Sequence, residues 1–262
     1  MTDGALLSSC YYYYICNMLG MKDEAEITKA AINRTFLHSV PSGEGREGAC
    51  YANGTVTANL LPLAMDIVPD SVREAVQENL TKRVKAPSLS GRAGGEAPHI
   101  DCGVIGVSWL MRYLSKAGIG NVAWQIATTK TYPGWGYMVE NGATTIWELW
   151  NGNTANPSMN SGNHVMMLGD LIPWCYEYLA GIAPDPKRPG FNHIIMHPDF
   201  SISQLNGVTA TYPSIYGDVK SQWSRHGGKV SWQVTIPPNT TATLHLSDGT
   251  VREVGSGTHL FD

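Results

Sequence analysis

The stretch "IAPDPKRPG", residues 182 to 190, decides the fold, because one sequence pattern ends there and another begins. Its three prolines remove backbone donors and interrupt regular secondary structure. Before it, apolar residues recur with the spacing of helices, and after it they alternate as in β-strands. We therefore expect a mainly α-helical domain over residues 1–182 and an all-β domain over residues 183–262.

The helical part consists of apolar segments separated by short breaks. The segment "GALLSSCYYYYICNMLG" is apolar almost all round and ends at Gly20, a common helix terminator. Segments that are apolar on more than one face suit an inner layer wrapped by an outer layer. Pairs of helices joined by short turns predict an α/α toroid or an α-solenoid, and an ordinary irregular bundle is the alternative.

Polar residues near the helix starts predict where the helices begin. Asp23 with Glu26, and Ser71 with Glu74, have the spacing of a capping box. Asp101 precedes "CGVIGVSWLMRYLSKAG" and is predicted to cap that helix. These acidic and hydroxyl groups are therefore interpreted as structural.

The carboxyl-terminal part has the pattern of a small antiparallel β-sandwich. In "GDVKSQWSRHGGKVSWQVTIPPNTTATLHL", alternating segments rich in Thr, Val and Trp are separated by turn residues. Gly227-Gly228 is typical of a two-residue hairpin turn. The predicted fold class is thus mainly α with a carboxyl-terminal all-β unit.

The composition excludes several functions and favours a neutral ligand. The net charge is −4 and no basic run is present, so neither nucleic acid nor an anionic membrane is an expected partner. No apolar stretch is long enough to span a membrane. The five cysteines form no CxxC pair, and no cofactor or metal motif is present, so we predict no cofactor and no metal site.

Aromatic residues accompany a low content of charge. Only 15% of residues are charged, against 8 Trp and 12 Tyr. Few charges and many ring faces suit a polyhydroxylated, uncharged ligand such as a sugar. A tryptophan-rich core is the alternative explanation.

The stretch "TYPGWGYMVENGATTIWELWNG", residues 131 to 152, is patterned neither as a helix nor as a strand. Long irregular segments inside compact domains are often functional. Glu148 lies beside Trp147 and close to Trp150, so it is either a catalytic carboxylate or a salt-bridged structural residue. Trp135, Trp147 and Trp150 are candidates for stacking on a sugar ring.

A histidine further along the chain is a second candidate. His164 is predicted to lie three residues into a helix capped by Ser161. There it could bond a sugar hydroxyl, or it could be a buried structural histidine. Four other carboxylates are interpreted as loop or turn polarity: Glu44, Glu47, Glu96 and Glu140.

Four stretches, taken in order, resemble a known family. "YPGWGYMVENGATTIWELWNG", "MNSGNHVMMLGD", "IAPDPKRPGFNHIIMHP" and "IPPNTTATLHL" are similar to the carboxyl-terminal part of the bacterial α-L-rhamnosidases of glycoside hydrolase family 78. The "ATTIWE" and "MNSxNH" elements together carry the resemblance. The sequence departs from the family at Leu149, where many members have arginine. Its loop "NGNTANPS" is also shorter than the loop that family members commonly have.

The resemblance implies a partial (α/α)6 barrel followed by a β-sandwich, and inverting hydrolysis of terminal α-L-rhamnosyl residues. Such hydrolysis needs one carboxyl group as acid and a second as base. The glutamate of "TTIWE", the family's general base, falls on Glu148. The histidine of "MNSxNH", which contacts the sugar, falls on His164. The implied partner is a rhamnosylated glycan or glycoside.

The acidic motif that carries the family's general acid has no counterpart in residues 1–147. The helices are also too few for a whole barrel. We therefore expect a carboxyl-terminal fragment that is inactive alone and self-associates through exposed apolar faces. A signal upstream of Met1 would place the protein in the periplasm or outside the cell, and otherwise it would be cytoplasmic. The alternatives are a non-catalytic sugar-binding or scaffold module and an α/α-barrel glycosidase acting on another sugar.

Overall fold

The computed structural model describes residues 1–41, 47–85 and 98–262, and in it a helical region precedes the large sheets. The helices among these residues are α1 (Gly4–Met18), α2 (Lys22–Phe36), α3 (Val56–Ala64), α4 (Asp70–Lys85), α5 (Val104–Lys116), α6 (Gly120–Thr128), α7 (Trp135–Glu140) and α8 (Val165–Trp174). A π-helical turn, Cys175–Leu179, follows α8. The predicted order of a helical part and then a β part is confirmed.

The strands form one small sheet and two larger ones. Their bounds are β1 (Leu37–Pro41), β2 (Glu47–Tyr51), β3 (Ile182–Pro184), β4 (His193–Met196), β5 (Gly207–Ser214), β6 (Gly217–His226), β7 (Lys229–Ile236), β8 (Thr241–His245), β9 (Val251–Val254) and β10 (Gly257–Phe261). The large sheets have the orders β10-β7-β6-β5 and β3-β4-β8-β9. All their pairs are antiparallel except β4 with β8, which is parallel. The antiparallel pair β1–β2, inside the helical region, was not predicted.

The described chain divides into two compact units. The first unit contains residues 1–113 and 125–167, and the second contains residues 114–124 and 168–262. The domain boundary predicted between residues 182 and 183 stays a prediction. Among the described residues, none of the helices combines the length and the apolar character needed to cross a membrane.

The first unit is built around α3, whose residues 56–63 are all buried. Even the polar side chain of Asn59 is fully buried, and it is satisfied on both sides. Its Oδ1 accepts from the N–H of Tyr51 at 2.9 Å, and its Nδ2 donates to Oδ1 of Asn79 at 3.0 Å. No face of α3 meets water. This burial agrees with the prediction of an inner layer of helices that are apolar on more than one face.

Helix α1 is also apolar almost all round, yet only one of its faces is buried. Leu6, Cys10, Tyr13 and Cys16 point into the core, at the spacing of one helix face. The opposite face leaves Ile15, Met18 and Leu19 exposed. The predicted self-association would use such a face, and it stays a prediction.

The predicted helix starts are displaced by one to three residues. Helix α2 begins at Lys22, before Asp23, because the turn at Gly20 is tight and the N–H of Met21 already donates to the carbonyl of Cys16. Helix α4 begins at Asp70, so Ser71 lies inside its first turn.

The predicted cap at Asp101 is also displaced, because α5 begins only at Val104. The carbonyl of Gly103 accepts from the N–H of Val107 at the start of this helix. Oδ2 of Asp101 accepts from Nη2 of Arg83 at 2.7 Å. Asp101 therefore joins α4 to the segment before α5.

The two large sheets share one apolar core within the second unit. Trp223 on β6 and Trp232 on β7 are buried there. The hydroxyl of Ser221, fully buried between them, donates to the carbonyl of Ala180 at 2.6 Å and accepts from Nε1 of Trp232 at 3.0 Å. Nε1 of Trp223 donates to the carbonyl of Leu179 at 2.8 Å. These bonds fix the chain after the π-helical turn to the sheet.

We expect Ser221→Ala to lower the free energy of unfolding by roughly 1–3 kcal/mol, because it leaves a buried N–H and a buried carbonyl without partners. Urea denaturation measures this change. Ser224→Ala, at a half-exposed position on the same strand, is the control and should shift the midpoint far less. Equal effects of the two variants would contradict the importance of the bridge.

A buried histidine makes the stability depend on pH. Nε2 of His99 lies 2.8 Å from Oγ1 of Thr131, and burial lowers the pKa of His99 while the nearby Asp101 opposes the shift. The unfolded chain therefore binds this proton more readily than the native protein does. The stabilisation is present above the unfolded-state pKa of about 6.5 and is lost as the pH falls below it.

We expect His99→Gln to weaken this dependence, because glutamine takes up no proton. Urea denaturation over about two units below neutral pH should show a shallower loss of unfolding free energy than in the unchanged chain. His226→Gln, at an exposed position, should keep the original dependence. Identical pH dependence in all three proteins would rule out burial of His99 as the cause.

Candidate active site

Two irregular segments of the first unit are joined through their main chains. The glutamate loop is residues 144–150, "TTIWELW", and the histidine loop is residues 159–164, "MNSGNH". The N–H of His164 donates to the carbonyl of Ile146 at 2.7 Å. The hydroxyl of Thr145 also donates to a carbonyl of the histidine loop. The prediction that residues 131–152 are neither helix nor strand holds for residues 131–134 and 141–152, but it is wrong for residues 135–140, which form α7.

Glu148 is held by the histidine loop through both its backbone and its side chain. Its N–H donates to the carbonyl of Ser161 at 2.9 Å, and its Oε2 accepts from the N–H of Ser161 at 2.9 Å. The next N–H, that of Leu149, donates to Oδ1 of Asn160 at 3.0 Å. Because a carboxylate oxygen bonded to a backbone N–H has a fixed direction, Glu148 is oriented although it lies on a loop.

Glu148 lies in the wall of a cavity of about 460 Å³. The cavity is lined by residues 100–104, 132–133 and 148–150 and by His164, all within the first unit. This volume is within the range of small-molecule sites. The cavity brings together the carboxylate, the imidazole and two aromatic rings, those of Tyr132 and Trp150.

The three predicted stacking tryptophans occupy different positions. Trp150 lines the cavity, and its Nε1 donates to the carbonyl of Cys102 at 2.9 Å. Trp135 is buried behind it and packs edge to face against it, with ring centroids 5.7 Å apart. Trp147 lies over Gly152 instead, since a Cβ built on that glycine would be 2.7 Å from the Trp147 ring. Of the three, Trp150 is the one beside Glu148 in the cavity wall.

His164 precedes α8, which begins at Val165. The prediction that it lies three residues inside the helix is therefore wrong, because the N–H of His164 bonds to the carbonyl of Ile146 in the glutamate loop ahead of the first helical turn. Nδ1 of His164 is buried and has no hydrogen-bond partner among the described residues. The hydroxyl of Ser161 accepts from the N–H of Asn163 at 3.2 Å, so it caps a turn ahead of the helix.

Two cavity residues were missed as site candidates. Asp101 was interpreted as a helix cap, yet it lines the cavity with its carboxylate in the ion pair with Arg83. Tyr132 lies in the stretch 131–152 but was not itself a candidate. The one available signal was the place of Tyr132 in that stretch, and nothing in the sequence related Asp101 to Glu148.

The weaker carboxylate candidates lie elsewhere. Oε1 of Glu140, at the end of α7, is 2.7 Å from Nζ of Lys130. Glu47 begins β2, whereas Glu44 and Glu96 lie outside the described residues. Within the described part of the chain, no group of three His, Cys, Asp or Glu side chains is arranged to hold a metal ion.

Sequence profiles of two domains match nearly the whole chain. Residues 1–179 match the bacterial alpha-L-rhamnosidase 6 hairpin glycosidase domain, and residues 181–261 match the bacterial alpha-L-rhamnosidase C-terminal domain. These matches confirm the family that the motifs indicated and the fold class of a helical region followed by β-sheets.

Known proteins of this kind resemble the chain in sequence and in structure. An α-L-rhamnosidase of Streptomyces avermitilis is 30% identical over 92% of this chain, and one of Formosa agariphila is 31% identical over 87%. The crystal structure of the Streptomyces avermitilis α-L-rhamnosidase complexed with L-rhamnose is similar over 99% of this chain, with a TM-score of 0.80 and 25% identity. The α-L-rhamnosidase structure from Dictyoglumus thermophilum gives 0.75 over 97%, also with 25% identity. The chain spans about a quarter of the length of these relatives, 24% of both curated sequences and 27% and 30% of the two structures.

We expect Gly152→Ala to disturb the glutamate loop, because the new methyl group would overlap the ring of Trp147. Overpacking of this kind costs about 1–3 kcal/mol of unfolding free energy. Gly162→Ala is the matched control, since nothing lies within 4 Å of its Cβ position. Urea denaturation followed by tryptophan fluorescence compares the two, and equal stability would contradict the close packing.

Proposed function

The chain belongs to the bacterial α-L-rhamnosidase family, and we propose that it supplies the water-activating half of an inverting glycoside hydrolase. The proposed substrates are glycosides that carry a terminal α-L-rhamnose. One observation carries the proposal: Glu148, in the wall of a sugar-sized cavity, has one carboxylate oxygen fixed by the N–H of Ser161.

Glu148 is proposed as the general base. Within the described part of the chain, Oε2 has a hydrogen-bond donor and Oε1 has none. Oε1 can therefore accept a proton from a water molecule in the cavity. This water attacks the anomeric carbon from the side opposite the leaving oxygen, so the configuration inverts. The fixed direction of the carboxylate lets Oε1 meet the water without reorganisation.

The general acid is proposed to lie outside residues 1–262. An inverting enzyme needs a second carboxyl group roughly 6.5–9.5 Å from the base, in its protonated form. Asp101 is a second carboxylate in the same cavity, but Arg83 already engages its Oδ2 at 2.7 Å. We therefore do not assign Asp101 as the acid. The greater length of the relatives leaves room for the acid in another part of the whole protein.

His164 and the cavity aromatics are proposed to bind the sugar. Because Nδ1 of His164 is buried, Nε2 is the nitrogen available to a sugar hydroxyl. Trp150 and Tyr132 offer rings in the cavity wall for the apolar face of the pyranose. Trp135 and Trp147 are proposed to support the site, Trp135 through its contact with Trp150 and Trp147 through its packing on Gly152.

We expect Glu148→Ala to lower kcat on an aryl α-L-rhamnoside by a factor on the order of 10²–10⁴, the usual contribution of a general base. The complete protein that contains this chain is assayed, since residues 1–262 alone should show no turnover. Sodium azide should restore activity, because azide fits the vacated space and needs no base. The product of the azide reaction should be the β-L-rhamnosyl azide, because azide attacks the anomeric carbon from the same side as water does.

Glu140→Ala is the matched control, because this carboxylate lies in the same sequence stretch and makes an exposed ion pair with Lys130. It should leave kcat unchanged within about twofold. Near-normal turnover of Glu148→Ala would refute the proposed base. An α-configured azide product would refute inversion, and turnover by residues 1–262 alone would refute an external acid.

A further inference from the structure

We propose that Asn160 is a positioning residue for the general base, an inference that rests on the proposed role of Glu148. Oδ1 of Asn160 accepts the N–H of Leu149, the residue directly after Glu148, at 3.0 Å. Asn160 is eleven residues away in sequence and belongs to the histidine loop. Its side chain thus fixes the peptide group through which the chain leaves Glu148.

The peptide groups on both sides of Glu148 are held by consecutive residues of the histidine loop. The carbonyl of Ser161 holds the N–H of Glu148, and the side chain of Asn160 holds the N–H of Leu149. Neither loop is a strand, and the other main-chain bond between them among the described residues, from the N–H of His164 to the carbonyl of Ile146, lies two residues before Glu148. The side chain of Asn160 therefore takes the place that a carbonyl would have in a regular sheet.

Asn156, four residues before Asn160, bonds among the described residues only to its own neighbours in the sequence and serves as a comparison. Oδ1 of Asn156 accepts from the N–H and the hydroxyl of Ser158, two residues away, and caps a 3₁₀ turn, Pro157–Met159. Asn160 has an extended backbone, with φ −137° and ψ 124°, and directs its oxygen to the other loop. Asn156 thus stabilises only a local turn, whereas Asn160 contacts the segment that carries Glu148.

The loss of this support should affect reaction more than binding. Leu149 is exposed, so water can replace Asn160 as the acceptor and the chain should stay folded. Without the side chain, however, the peptide group after Glu148 is no longer held, and only the two bonds to Ser161 still orient the residue. A displacement of the base by about 1 Å costs roughly 10²-fold in rate. Because Asn160 is not in the cavity lining, KM should change little.

A double-mutant cycle in the complete protein tests the proposal. Asn160→Ala should lower kcat on an aryl α-L-rhamnoside by about 10- to 100-fold, with KM unchanged within about twofold. In the Glu148→Ala background, with azide as the nucleophile, the same substitution should change the rate by less than about twofold, since no base is left to position. Azide forms the bond to the anomeric carbon as the bond to the aryloxide breaks.

The cycle separates the possible failures. Full activity of Asn160→Ala would overturn the positioning role, and so would an equal loss in both backgrounds, which indicates damage to the fold or to sugar binding. Normal turnover of Glu148→Ala alone would refute the base itself and the positioning role with it. Asn156→Ala is the matched control, and a loss as large as that of Asn160→Ala would also contradict the proposal.

Discussion

The main-chain pairing between the glutamate loop and the histidine loop is the constraint on which the candidate site depends. Neither loop has the repeated hydrogen bonds of a helix or a strand, so each would be loosely defined alone. Together they satisfy the N–H groups of Glu148 and His164 with carbonyls of the opposite loop. The hydrogen bonds that order the two loops also bring the carboxylate of Glu148 and the imidazole of His164 to one cavity.

The sequence predicted the kinds of secondary structure better than their limits. Period-3.6 and period-2 patterns located most helices and the strands of the carboxyl-terminal sheets, because burial of one face imposes those periods. Capping patterns at Asp23, Ser71 and Asp101 missed the helix starts, which lie at Lys22, Asp70 and Val104, and at α2 the backbone turn around Gly20 is the reason. The parallel pairing of β4 with β8 was also out of reach, since strand order depends on contacts between distant residues.

The site could be predicted in part. Glu148 and His164 were found because two short motifs resemble a family, whereas local chemistry alone left a structural role open for each. The orientation of the tryptophans depends on backbone turns. The sequence "WELW" therefore does not predict that Trp150 lines the cavity while Trp147 packs against Gly152. Asp101 lies far from these motifs along the chain, and only folding relates it to them.

In the connection between the two paired loops, residues 153–158 can vary in a way that the loops cannot, whereas Gly152 is fixed by its packing against Trp147. Main-chain atoms tie the ends of the connection together through Glu148 and Ser161, so the ends stay in place when residues 153–158 change. The entropic cost of closing a longer connection grows slowly, by about 0.6 kcal/mol for each doubling of its length. Evolution can therefore lengthen or rewrite this connection beside Trp150 while the carboxylate keeps its position. One candidate site can in this way be combined with many different loops at its rim.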